Sequence, residues 1–178
     1  KIRVTGDLWW HIGWKNGNPI SSIQVELLDG HINSITRFKL FLPKSREGDN
    51  EIFTSSILRE LGFLAPRTFL VKSIINGVKV DYIFQEDLRK EFLENSRLIE
   101  GPILEGDERF TIMLKDDEMV PNLTLSRIVN KNFLFKRKSN TRAALSAVSN
   151  LNLIFLQHHQ IKNSNVYYMP IDKLHINV

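Results

Sequence analysis

The sequence predicts an α+β protein in which an antiparallel, strand-rich first half carries one inserted helix and then gives way to a helical second half. Three observations predict it. Alternating apolar residues and turn pairs punctuate residues 1–86. One 3.6-residue pattern interrupts them at 51–61. After Glu86 the texture turns charged and helical, with its longest run at 141–159. The expected domains are a β-rich lobe over 1–86 and a helical lobe over 87–178.

The elements follow in chain order. KIRVT (1–5) and SSIQVELL (21–28) are short β-favouring runs, and Asp29-Gly30 is a turn pair. SITRFKLFL (34–42) alternates, with Ile35, Leu40 and Phe41 at apolar positions and Arg37 and Lys39 sharing one parity. Pro43 ends that strand, and KSREGDN is a polar loop. Asp49 or Asn50 caps a helix over 51–61, which Gly62 stops. At about 100° per residue, Ile52, Phe53, Ile57, Leu58 and Leu61 form one apolar arc. Glu60 falls inside that arc and Glu51 on the far side, so Glu60 is the expected inward carboxylate.

PRTFLVKSII and VKVDYIFQ are strands joined by Asn76-Gly77, a pair that tolerates the positive φ of a type I′ turn. EDLRKEFLENS reads as a short helix, IEGPILEGDERF as an acidic loop, and Pro121 with NLTLSRIVNK as another helix. The run at 141–159 is apolar over much of its circumference, as expected of a helix buried among others.

Composition bounds the function. The chain has 178 residues, enough to bury a core. No apolar run reaches the roughly 18–20 residues that cross a bilayer, so no membrane partner is expected. Cysteine is absent, which excludes disulfides, thiolate metal sites and a Cys nucleophile. With no secretory pattern at the N-terminus, the expected location is cytoplasmic. A net charge of +4 falls short of a nucleic-acid footprint. The one basic cluster, FKRKSNTR with Lys136, Arg137, Lys138 and Arg142, reads as a solvated face or as a phosphate contact. The chain opens in strand-like sequence without Met and stops at LHINV, so a fragment of a longer protein is expected.

A small sheet with one inserted helix, followed by helices, is the plan of protein-kinase-like folds, and FQED then stands where two lobes would meet. The stretch from Asp49 to Glu94 resembles the core segment of the CotH family, the spore-coat-protein-H-like atypical kinases of bacteria. Asp49, Leu58-Arg59, Leu61-Gly62, Pro66, Asn76-Gly77, Tyr82 and Glu86 occur in the family's order. Val78, Lys79 and Val80 depart from it, where the family has an aromatic residue and a second glycine. The resemblance covers about 45 residues.

The resemblance implies an ATP- and Mg²⁺-dependent transfer of phosphate to a protein or small-molecule hydroxyl, the acceptor itself being unspecified. In that chemistry a lysine and metal ions hold the phosphates, and an acid on a helix holds the lysine. Lys39 is placed as the phosphate-binding lysine, Glu60 as its partner, and Glu86 with Asp87 at the hinge, where backbone groups would meet the base. Each also has a plainer reading, as an exposed strand lysine, a helix-surface acid and a helix cap. In NVYYMPID, Asp172 is similar to the family's metal ligand. Gly6 in RVTGDLWWH fits a loop over the nucleotide or an ordinary turn.

Other constellations carry less. His158 and His159 point about 100° apart on a helix and lack a carboxylate partner. The acids of ILEGDERF lack EF-hand spacing. Trp9, Trp10 and Trp14 read as core packing, a lobe edge or a stacking platform. No GxxxxGKS, GxGxxG or GxSxG motif occurs. The alternative to an enzyme is a catalytically silent kinase-like module that binds a partner through the Trp-rich N-terminus or the basic cluster.

Overall fold

The computed structural model describes residues 1–6, 9–105, 111–113, 119–121 and 126–163, and their side chains except at 111–113, 119–121 and 155–163. The chain is α+β with antiparallel sheet, and it divides into two compact units, Lys1–Ser96 and Arg97–Val178. The division lies beyond the change of texture at Glu86, so the short helix that follows belongs with the first unit.

The first unit is built on a five-stranded antiparallel sheet in the order β1-β4-β5-β7-β6. Its strands are β1 (Ile2–Val4), β4 (Ile23–Glu26), β5 (Arg37–Phe41), β6 (Thr68–Ile75) and β7 (Val78–Glu86). A separate hairpin, β2 (Ile12–Lys15) with β3 (Asn18–Ser21), is inserted between β1 and β4. Helix α1 (Asp49–Glu60) is inserted between β5 and β6, and α2 (Lys90–Asn95) follows β7. The β6–β7 turn is made as expected, with φ of 50° at Asn76 and 78° at Gly77.

Register fixes the two faces. Gln24 stands opposite Lys39, Lys39 opposite Gln85, and Gln85 opposite Thr68, so one polar row crosses four strands. The opposite face carries the core: Ile23, Phe38, Leu40, Val80, Tyr82 and Phe84 are buried there and pack with Ile35 and Leu42. Phe84 stacks between Phe38 and Phe69, with ring centroids 4.5 and 4.6 Å away. Tyr82 donates its hydroxyl to Ser21 O, and burial pushes its pKa up.

Helix α1 departs from the expected orientation. Glu51 and Ile52 are half-buried and Ser55 is buried, whereas Phe53, Ile57, Leu58 and Leu61 are exposed. The cause lies in the sheet: the apolar core occupies the other face, and α1 docks on the polar one, with Glu51 accepting a hydrogen bond from Gln85. Glu60, the expected inward acid, is exposed at the last residue of the helix. The cap is Gly48 at φ 60°, with no side-chain bond, while Asp49 and Glu51 lie in the first turn, where carboxylates suit the helix dipole.

The second unit holds two short ribbons and two helices. β8 (Leu104–Glu105) pairs with β11 (Arg127–Ile128), and β9 (Thr111–Met113) pairs with β10 (Met119–Pro121). These are followed by α3 (Lys131–Lys136) and α4 (Lys138–Asn163). The helix expected over NLTLSRIVNK is thus replaced, among its described residues, by a strand. Buried Asn130 ties that strand down, donating to Gly101 O at 2.7 Å and accepting from Ile103 N at 2.8 Å. The acidic loop is correspondingly part strand. Lys136 of the basic cluster pairs with Glu100 at 2.8 Å. Among the described residues no helix is long and apolar enough to cross a membrane.

Two glycines are held for different reasons. At Gly77 a Cβ would meet open space, so only the positive φ is at stake. At Gly6, φ 97°, a Cβ would lie 2.1 Å from the His11 ring. Gly77→Ala is expected to cost about 1 kcal/mol, and Gly6→Ala at least about 1 kcal/mol more, read from paired chemical denaturation curves. Equal losses would show that Gly6 is not packed against His11.

Candidate functional site

The end of β7 sets the site. Successive strand residues point to opposite faces, so Glu86 turns to the core side and Asp87 to the polar side. Both side chains are buried, at 3% and 6% exposure, and an unpaired buried carboxylate costs several kcal/mol. Each is therefore compensated.

Glu86 is held by Arg67, which precedes β6. Arg67 donates from Nε to Oε2 and from Nη2 to Oε1, both at 2.8 Å, and from Nη1 to Asn33 O at 2.7 Å. This fork is a planar, two-bond ion pair. The Arg67 guanidinium is raised above its usual range, chiefly by that hydrogen bond, against an opposing effect of burial. Glu86 pairs across the sheet with Phe38 and Lys39 with Gln85, so Glu86 and Lys39 lie on opposite faces of the sheet. The backbone donors of this segment are not on offer to a base, since Glu86 N donates to Arg67 O and Asp87 N to Arg37 O.

Asp87 gathers the polar face. It accepts from Gln24 Nε2 at 2.9 Å and from Arg89 Nε at 3.3 Å. Arg37 Nε stands 2.8 Å from Oδ2, without the alignment of a hydrogen bond, and Lys39 Nζ lies 3.8 Å from Oδ1. Gln24 is itself oriented by Arg3, whose Nε donates to Oε1 at 2.6 Å. Next along β5, Phe41 is buried beneath two cations, Arg46 with its guanidinium 4.1 Å from the ring centroid and Lys39 at 5.9 Å.

Lys39 is therefore paired with a carboxylate, but not with the one expected. Asp87 touches it, and Glu51 reaches its cross-strand neighbour Gln85. Asp172 lies outside the described residues, as do the side chains of His158 and His159. Among the described residues, no group of three or more His, Cys, Asp or Glu is placed to hold a metal ion. Trp9 and Trp14 are 77% and 74% exposed, so neither is core; Trp9 meets Trp10 edge-on at 5.7 Å. Gly6 adjoins His11, which is buried with Nδ1 3.0 Å from Ser22 Oγ.

The signals for this site were parity and position. Arg37 and Lys39 on one strand, and Gln85 and Asp87 on the other, share a face by period two. Arg46 sits in a polar loop and carried no pattern of its own. The chain matches no protein-family model and no curated protein sequence.

Removing Arg67 while leaving Glu86 buried strands a charge. Arg67→Ala is expected to lower stability by roughly 3–5 kcal/mol, and the double change Arg67→Ala with Glu86→Leu to recover much of the loss. Urea denaturation of the parent, both single variants and the double variant checks it; additive losses would deny that the pair acts as a unit.

Proposed function

We propose that this chain carries the nucleotide-binding part of a kinase-like phosphotransferase, of the kind the CotH resemblance implies. It binds the phosphates of ATP on the polar face of the first unit and serves transfer of the terminal phosphoryl group to a hydroxyl of a protein or small molecule in the cytoplasm. The observation that carries this reading is the placement of Lys39. It lies on the third strand of the antiparallel sheet, counted along the chain, and on the face that receives the helix inserted directly after that strand. Kinase catalysis uses that arrangement, a strand lysine on the phosphates steadied by an acid beside it.

The residues fit a phosphate tail. Arg37, Lys39 and Arg89 surround one carboxylate, and Arg46 lies beyond Phe41. Arginine forks match phosphoryl oxygens, and lysine supplies a point charge. Asp87 holds Lys39 through its charge, and Glu51 sets Gln85 beside it. Mg²⁺ bound with ATP would neutralise phosphate charge. Asp172 remains its proposed ligand by resemblance.

A second reading, a catalytically silent binding module, is favoured by the exposure of Trp9 and Trp14, since exposed large aromatics concentrate at interaction sites. The two readings differ on ATP. With Mg²⁺-ATP at about 100 times its Kd, binding adds roughly 2.7 kcal/mol. The thermal midpoint is then expected to rise by about 5 °C or more, and Lys39→Ala to abolish the rise. A midpoint indifferent to ATP in the unaltered protein counts against the phosphotransferase and for the silent module.

A further inference from the structure

The two margins of the five-stranded sheet are built differently. A sheet margin presents unpaired N–H and C=O groups, and monomeric proteins blunt it with short strands, prolines, bulges or charge. At one margin β1 is three residues long. At the other, β6 runs for eight residues, TFLVKSII, in unbroken register with β7 and with Lys72 as its one charge. Phe69, Leu70 and Ile74 are exposed along it.

Register shows which groups that margin offers. Glu86 N donates to Arg67 O, so Arg67 and Glu86 form a hydrogen-bonded pair. Such pairs recur at every second residue, and Phe69, Val71, Ser73 and Ile75 therefore turn their backbone groups to β7. Thr68, Leu70, Lys72 and Ile74 turn theirs away from it. Among the described residues, the outward N–H and C=O groups of Leu70, Lys72 and Ile74 meet no backbone partner.

We infer that β6 pairs antiparallel with β6 of a second copy of this chain, joining two five-stranded sheets into one of ten strands. The unequal margins favour this closed arrangement. Adding β6 of one copy to β1 of another would pair three residues. Pairing β6 with β6 joins seven, Thr68 to Ile74, roughly 24 Å of ladder, and closes on a two-fold axis.

The side chains choose the register. An axis at Lys72 sets that residue directly opposite the partner's Lys72, and like charges so placed repel. An axis at Leu70 sets Ile74 opposite the partner's Pro66, which has no N–H to donate. An axis at Val71 avoids both. Leu70 then exchanges bonds with the partner's Lys72, and Thr68 with the partner's Ile74. Val71, which packs against the core of its own sheet, meets the partner's Val71, and the apolar layer continues across the axis. Lys72 keeps Asp81 as its cross-strand neighbour on β7, so its charge is answered within its own copy.

The experiment is sedimentation equilibrium of the full chain over a concentration series. The expected result is a monomer–dimer equilibrium that ends at twice the 20.7 kDa of the chain. Lys72→Pro removes a donor that faces away from β7, and is expected to weaken the dimer about tenfold. Leu70→Lys sets a second cation opposite the partner's Lys72, and Leu70→Glu an anion. By symmetry each contact occurs twice, so the lysine variant is expected to dissociate about tenfold more readily than the glutamate variant. Neither Leu70 change touches a β6–β7 bond, and this comparison decides the matter should Lys72→Pro fail to fold. Equal dimer strength in the two Leu70 variants would overturn the assignment, as would a dimer indifferent to a folded Lys72→Pro. Assemblies that grow past the dimer would also overturn it. So would a chain that stays monomeric at every concentration, which would leave the margin to a strand of another protein.

Discussion

Two consecutive carboxylates at the end of one strand organise the first unit. Because β7 alternates its faces, Glu86 and Asp87 must be satisfied by different partners on opposite sides of the same sheet. Glu86 takes the single arginine fork of Arg67, which also reaches Asn33 O and so fastens the loop before β5 to the start of β6. Asp87 takes side chains from three places, Gln24 on β4, Arg37 and Lys39 on β5, and Arg89 after β7. One face thereby carries an ion pair at the margin of the core, and the other a cluster in which several cations share one carboxylate. The chemical asymmetry of the sheet begins at this dipeptide.

That asymmetry explains why α1 turned out of the orientation its own pattern suggested. A helix with an apolar arc buries it when an apolar surface is within reach. Here the apolar face of the sheet is already filled by Leu27, Ile35, Leu42 and their neighbours. The helix follows directly from β5 onto the polar face, where small Ser55 allows close approach and Glu51 meets Gln85. Phe53, Ile57, Leu58 and Leu61 are left outward. The position of the inserted helix thus came from topology, and its rotation from the chemistry of the surface beneath it.

The strands, the inserted helix and the Asn76-Gly77 turn were legible because each rests on local rules: alternation, a 3.6-residue period, and positive φ at a turn. The pairing of Lys39 with an acid was legible as chemistry but not as an address. A helical wheel assigns the inward acid only if the buried arc is known, and taking apolar for buried exchanged Glu51 for Glu60. Glu86 and Asp87 were read together, and sequence does not show which face of the sheet holds the core. Had the core been placed on the parity of Phe38, Leu40 and Phe84, Glu86 would have fallen with it and Asp87 with Lys39. The hairpin at residues 12–21 went unread because its strands are short and interrupted by Gly13 and Pro19.

Arg46 and Phe41 extend the same logic beyond ion pairing. Phe41 is buried on the polar face, opposite Ile83 in register, and so offers a ring where the neighbouring row offers only polar groups. A guanidinium 4.1 Å from that ring is partly stabilised by it without any carboxylate being spent. Lys39 shares the same ring at longer range. An aromatic face can therefore collect cations without neutralising them, whereas each added carboxylate would cancel one. With Asp87 at one end of β5 and Phe41 at the other, the strand holds its cations in place by two different means, and the second leaves their positive charge in place.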